Sequence, residues 1–140
     1  MSNSDIYLKE IVKKFDFIQG IWITDFEGAL LMGEVRESDG QPDSEEKERY
    51  LKLKISISFL FNSAIDQIMK IEKWNFKSLL TIYDEHTIFQ FRLSKSIFVH
   101  FLCDSDNFNY GIINEISNEF KSKLIQFDKE VEKLVQNTEA

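Results

Sequence analysis

Few residues in this chain carry side chains that could do chemistry. His100 and Cys103 stand three apart in the run His100-Phe101-Leu102-Cys103, a spacing that suggests a metal pair. The run Ile97 to Leu102 reads as a strand, however, and positions three apart on a strand point to opposite faces. The chain has no second cysteine, and its other histidine is His86. These residues do not make up a zinc set. His100 is expected to be a hydrogen-bonded sheet residue, Cys103 a buried small hydrophobe, and His86, beside a hairpin turn, a solvated end residue.

Two carboxylate groupings are next. Asp104-Ser105-Asp106 followed by Glu115 has the outer spacing of a calcium loop. Phe108 stands where the fifth ligand oxygen belongs, and Asn109 where the sharp turn needs glycine. The segment is therefore expected to cap a following helix. Asp25 and Glu27 could form an acid–base pair, but they flank Asp25-Phe26-Glu27-Gly28, whose first and fourth residues suit a type I turn. Neither histidine has an evident serine or cysteine nucleophile beside it, and no glycine-rich phosphate loop occurs. The chain is read as not an enzyme, with no catalytic residue, no cofactor and no metal.

The elements that position these residues follow from periodicity. Leu8, Ile11, Val12 and Phe15 recur at helical spacing, predicting a helix over 5–15 capped by Ser4 or Asp5. Residues 17–24 and Ala29 to Val35 read as two strands of a hairpin. Phe76 to Tyr83, His86 to Leu93 and Ser96 to Cys103 read as a three-strand meander, joined by Asp84-Glu85 and Ser94-Lys95. The last of these is apolar on both faces apart from His100, as a central strand would be. A final helix is predicted from Tyr110 to about Val135, with Ile113, Ile116, Phe120, Leu124, Phe127, Val131 and Leu134 in one stripe. The polar stretch 37–49 is read as an acidic loop.

Residues 50–71 are ambiguous. Leu51, Leu53, Ile55, Ile57 and Phe59 alternate with polar residues, as in a strand. Beyond Phe59 a helical pattern takes over: Ile57, Leu60, Phe61, Ala64, Ile68 and Ile71 share one sector. Taken as a helix over roughly 55–70, the segment has a second apolar stripe at Ile55, Phe59, Ile65 and Met69, with Asn62 and Asp66 among them. One stripe suffices to dock a helix on a sheet. The second needs its own cover, either the first or last helix or another chain.

The 140 residues are 43% hydrophobic, with thirteen Phe and one Pro, enough for one domain with a real core over 1–140. A net charge of -7 with no segregated basic patch argues against nucleic acid. Met1 to Glu10 has no secretory pattern, and no apolar run is long enough to span a bilayer, so no direct membrane insertion is expected. The lone cysteine fits a reducing compartment. With Ser at position 2 and no cysteine near the C-terminus, no lipid anchor is expected either.

The segment Gly20-Ile21-Trp22-Ile23-Thr24-Asp25-Phe26-Glu27-Gly28-Ala29-Leu30-Leu31 resembles the first hairpin of roadblock-domain proteins. Asp66-Gln67, Lys70, Lys77-Ser78, Tyr83, Gln90-Phe91 and Phe101 sit as in one branch of that family, the MAP kinase scaffold subunits of the Ragulator (late endosomal/lysosomal adaptor) complex. The resemblance covers about residues 8–135. It implies an α+β, roadblock/profilin-like sandwich in the order α-β-β-α-β-β-β-α, with a five-stranded antiparallel sheet and a helix at 55–70. It implies pairing with a second roadblock subunit through that helix and the following strand. The interface would comprise Ile55, Phe59, Asn62, Ile65, Asp66, Met69, Phe76, Ser78 and Leu80, with Lys77, Leu79 and Thr81 as the alternate face of the strand. It further implies other Ragulator subunits and Rag GTPases as partners, a MAP kinase kinase among the candidates, and recruitment by a partner to the cytoplasmic face of the late endosome or lysosome. Trp74-Asn75 is bulkier and the 37–49 loop more acidic than in that branch, so kinase contacts do not carry over. Two rival readings are a dynein light-chain or GTPase-regulating roadblock homodimer, and a small-molecule sensor domain of similar architecture.

Overall fold

A computed structural model describes residues 3–25, 29–36, 77–94 and 97–123. The segment 55–70, with its two expected stripes, and Phe76 lie outside the described residues.

Helix α1 spans Asn3–Lys14, strand β1 Ile18–Asp25, β2 Leu30–Val35, β3 Ser78–Ile82, β4 His86–Arg92, β5 Ile97–Asp104 and helix α2 Tyr110–Ser122. The strands form one sheet in the order β2-β1-β5-β4-β3, and every neighbouring pair is antiparallel. The five expected strands are all present. β5 lies at the centre and is buried along nearly its whole length, as its two apolar faces require.

α1 starts two residues earlier than the periodicity predicts. Ser4 lies inside it rather than capping it, and Asp5 sits in the first turn, where its charge suits the helix dipole. The turn after β1 is closed by Asp25. Its N–H donates to the Ala29 carbonyl at 3.0 Å, and its carboxylate accepts from the Ala29 N–H at 2.9 Å. That carboxylate is spent on turn chemistry.

The face of the sheet that carries Ile21, Ile23, Phe89, Phe91, Val99, Phe101 and Cys103 forms the main core with Leu8, Ile11 and Val12 of α1 and Ile113, Ile116 and Phe120 of α2. Phe120 is fully buried against the rings of Tyr7 at 5.2 Å, Phe91 at 5.9 Å and Phe101 at 6.0 Å. Emptying such a site costs about 3–5 kcal/mol. The Lys123 ammonium lies 4.1 Å above the Tyr7 ring and 3.6 Å from Glu119, tying α1 to the end of α2. Burial, and then the nearby Glu119, push the Tyr7 phenol well above its ordinary range.

The final helix is described over Tyr110–Ser122, and Lys123 leaves helical geometry at φ -98, ψ 12. The Ser122 hydroxyl donates to the Glu119 carbonyl at 2.8 Å, and the Lys123 N–H is shared between the Glu119 and Phe120 carbonyls. Both contacts tighten the last described turn. Residues 124–135 lie outside the described residues. Among the described residues, no helix is long and apolar enough to cross a membrane.

Candidate functional site

The second face of the sheet carries Trp22, Ile88 and Leu102 as an apolar cluster around a polar centre. His100 lies in that centre, fully buried. Gln90 Nε2 lies 3.0 Å from its Nδ1, and Thr24 Oγ1 lies 2.8 Å from its Nε2. An amide nitrogen can only donate, so Nδ1 accepts and Nε2 carries the proton towards Thr24. The Trp22 indole stacks on the imidazole at 5.8 Å. Burial pushes the His100 pKa down to about 3, which keeps the ring neutral. Cys103 belongs to the opposite face, as the three-residue spacing requires, and burial pushes its thiol up to about 12. The two side chains do not converge.

Gly33 explains how Trp22 fits. It lies across from Trp22 in the β1–β2 register, and a Cβ there would come 3.1 Å from the Trp22 Cβ. A side chain there would ask the Trp22 Cβ and the Ile21 carbonyl, 3.3 Å away, to give by a few tenths of an ångström.

The loop after β5 behaves as a cap. Asp104 accepts from the Asp106 N–H at 3.1 Å and from the Asn107 amide at 3.2 Å, and Asn109 caps α2 by accepting from the Ile112 N–H. Ser105 laces this loop to the β3–β4 hairpin. Its N–H donates to the Glu85 carbonyl, and its hydroxyl donates to the Tyr83 carbonyl and meets Thr87 Oγ1. His86 differs from expectation: it is part-buried, not solvated, and its Nδ1 is enclosed without a hydrogen-bond partner among the described residues. The cause is its place across from Asp104, beneath the laced loop. Among the described residues, no group of three or more His, Cys, Asp or Glu is placed to hold a metal ion.

The feature best placed to meet another molecule is β3. Among the described residues it ends the sheet, and its side chains are exposed or half-exposed throughout. The Arg92 N–H donates to the Lys77 carbonyl at 3.0 Å, and the Tyr83 N–H donates to the His86 carbonyl at 2.8 Å. Hydrogen-bonded pairs alternate along an antiparallel ladder. Lys77, Leu79, Thr81 and Tyr83 thus turn their main-chain groups towards β4. Ser78, Leu80 and Ile82 turn theirs outward, to an edge that no other described strand pairs with. This separates the two faces that the sequence left as alternates. Ser78 and Leu80 carry the open main chain; Lys77, Leu79 and Thr81 do not.

The same outward residues bear an apolar strip. Leu80 is 39% exposed, Ile82 69% and Tyr110, at the start of α2, 53%. Tyr110 packs edge-on against Phe89, the buried cross-strand neighbour of Leu80. An unpaired, apolar edge of this kind is a template for another strand. Ile82 and Tyr110 were not anticipated as site residues. For Ile82 the signal was present, since it continues the alternation from Ser78 and Leu80. For Tyr110 nothing local marks it, because its partner Phe89 is remote in sequence. Charge is polarised along the strand, with Lys77 before it and Asp84-Glu85 after it. Sequence reasoning also missed Arg36. Its guanidinium donates to the carbonyls of Val12, Phe15 at 2.7 Å and Ile18 at 3.1 Å, closing the C-terminus of α1 onto the sheet.

Comparisons with known proteins agree with this architecture. The family described as "Mitogen-activated protein kinase kinase 1 interacting" matches residues 2–135. None of the curated proteins compared matches the chain. Among solved structures, a Roadblock/LC7 domain from Streptomyces avermitilis superposes with TM-score 0.68 at 9% identity, covering 90% of this chain and 98% of its own. An MglB with tetrameric arrangement gives TM-score 0.68 at 10% identity, covering 94% of each chain. Myxococcus xanthus MglB gives 0.66 at 11%, covering 92% and 97%. At such identities these likenesses establish the fold, an α+β roadblock sandwich.

Proposed function

The chain belongs to the mitogen-activated protein kinase kinase 1 interacting family and has the roadblock fold, and from this we propose that it is a non-catalytic scaffold subunit that works by heterodimerising with a second roadblock subunit. The assembly is a Ragulator-like complex on the cytoplasmic face of the late endosome or lysosome. It supports Rag GTPase, TORC1 and MAP kinase signalling there, and a lipid-anchored partner recruits it.

The observation that carries this reading is the open β3 edge, where the outward main chain of Ser78, Leu80 and Ile82 coincides with exposed apolar side chains. In this proposal Phe76 extends that edge, and the helix at 55–70 lies on the second face of the sheet with Ile57, Leu60, Phe61, Ala64, Ile68 and Ile71 downward. The burial of Trp22, Phe98, His100 and Leu102 supports this placement, because α1 and α2 pack on the other face. Ile55, Phe59, Asn62, Ile65, Asp66 and Met69 then meet the partner beside β3. The family's description supports a MAP kinase kinase as a further partner.

Affinity purification of the full chain from its own cells tests the reading. The expected result is a different roadblock chain together with Rag GTPases. Recovery of dynein intermediate chain instead would favour the light-chain reading. A small metabolite retained by the purified chain would favour a sensor domain.

A further inference from the structure

The β3–β4 turn and the loop after β5 meet at one corner of the sheet. Ser105 holds them together: its N–H donates to the Glu85 carbonyl at 3.0 Å, its hydroxyl donates to the Tyr83 carbonyl at 2.8 Å, and Thr87 Oγ1 lies 2.8 Å away. Thr87 is buried and is the cross-strand neighbour of Ile82. Residues two apart on a strand share a face, so both lie on the same side as Phe89, against which Tyr110 packs at 6.1 Å. Thr87 and Ser105 thus floor a saddle between two exposed apolar side chains, Ile82 of the hairpin and Tyr110 of α2.

The charge around the saddle has one sign. Asp84, Glu85 and Asp106 are all exposed there. The Asp104 carboxylate is engaged by the Asp106 N–H and the Asn107 amide. No Lys or Arg occurs over residues 78–91 or 97–120, which supply the whole corner. Exposed apolar groups ringed by carboxylates call for a ligand that is apolar at its centre and cationic around it. Arginine suits the rim best, because its guanidinium pairs with carboxylates and also stacks on an aromatic ring such as Tyr110.

We propose that this corner docks a basic segment of a partner protein, in which arginines flank one apolar side chain. The apolar side chain sits between Ile82 and Tyr110, and the arginines meet Asp84, Glu85 and Asp106. The Ser105 contacts hold the two walls in place before the ligand arrives, which lowers the cost of binding. The contact uses side chains at the corner and no β3 main chain, so it is independent of the pairing proposed for that strand.

Fluorescence anisotropy on the full-length chain tests this with a labelled peptide, Arg-Arg-Pro-Leu-Arg-Arg, whose proline keeps it from adding to the sheet as a strand. The parent should bind it and should not bind the same peptide with Glu in place of each Arg. Asp84→Lys combined with Glu85→Lys should weaken binding about tenfold, and Tyr110→Ser about fivefold, with Tyr110→Phe retaining it. Glu10→Lys combined with Glu115→Lys makes the same change in net charge at exposed positions outside the saddle and should stay within about twofold of the parent. Circular dichroism of each variant checks that it is folded. No binding by the parent overturns the proposal. So does an equal loss in the two charge variants, which would mean attraction by overall charge, or full binding by Tyr110→Ser, which would remove the apolar anchor.

Discussion

Leu80 of β3 and Phe89 of β4 are direct cross-strand neighbours on one face of the sheet, yet Phe89 is 4% exposed and Leu80 39%. A single step of register passes from the core beneath α2 to the open edge. The two positions should therefore respond oppositely to the same change. Leu80→Asp should leave thermal stability within about 1 kcal/mol of the parent, since an exposed edge position has little packing to lose. It should abolish pairing, because a carboxylate would be desolvated in the contact. Phe89→Asp should prevent folding outright. Circular dichroism on heating, alongside sedimentation of each variant, separates the two effects. Phe59→Asp should match Leu80→Asp, losing pairing with secondary structure intact.

Arg36 is a structural clamp. Its donors reach the carbonyls of Val12, Phe15 and Ile18, three groups at the end of α1 and the start of β1, of which Phe15 also accepts from the Ile18 N–H at 3.1 Å. Charge-assisted bonds of this sort contribute about 1.5–3 kcal/mol. Arg36→Met should lower the urea midpoint by a corresponding amount without changing the slope of the transition. Arg36→Lys should recover little, because an ammonium cannot serve several carbonyls as the planar fork does.

His100 sets an acid limit on stability. Its pKa is about 3 in the folded chain, against the ordinary 6.5 when unfolded. Between those values the unfolded state binds a proton that the folded state refuses, so stability falls as pH drops from about 6.5 towards 3. The slope is about 1.4 kcal/mol per pH unit from this group alone. Above pH 7 its contribution to the slope vanishes. Urea denaturation at pH 7.5, 6 and 5 should show the loss. The difference between the parent and His100→Gln should isolate it, whatever the absolute stability of the variant.

Cys103 should behave as a sealed thiol. Burial in the main core holds its pKa near 12, so almost none of it is thiolate at pH 8. A thiol reagent at pH 8 should label the native chain only as fast as it opens, and the denatured chain within seconds. Rapid stoichiometric labelling of the native chain would contradict this placement.

The strands were legible in the sequence because their signals are local. The β5 run Ile97–Asp104 has two apolar faces and lies at the sheet centre, and the hairpin turn residue Asp25 closes its turn by its own side chain. The same holds for His100 and Cys103, whose opposite orientation follows from the two-residue period alone. What could not be read depends on distant partners. His86 is enclosed because Ser105 pulls the loop after β5 onto the β3–β4 hairpin, a contact between residues far apart in the chain. The free edge of β3 was legible as apolar alternation, but which alternate set faces outward depends on the phase of the ladder with β4, set by the Lys77 and Tyr83 bonds. Arg36 lies beside the polar stretch and has no pattern to mark it.

In the proposed assembly β3 is where this chain meets a different roadblock subunit. The most direct measurement is a paired affinity purification of the full-length parent and the Leu80→Asp variant at equal expression, with the amount of every other roadblock chain quantified by mass spectrometry. The parent should retain a different roadblock chain near one-to-one, and Leu80→Asp should lose it while remaining folded. Equal recovery by both, or recovery of no such chain by the parent, would contradict it.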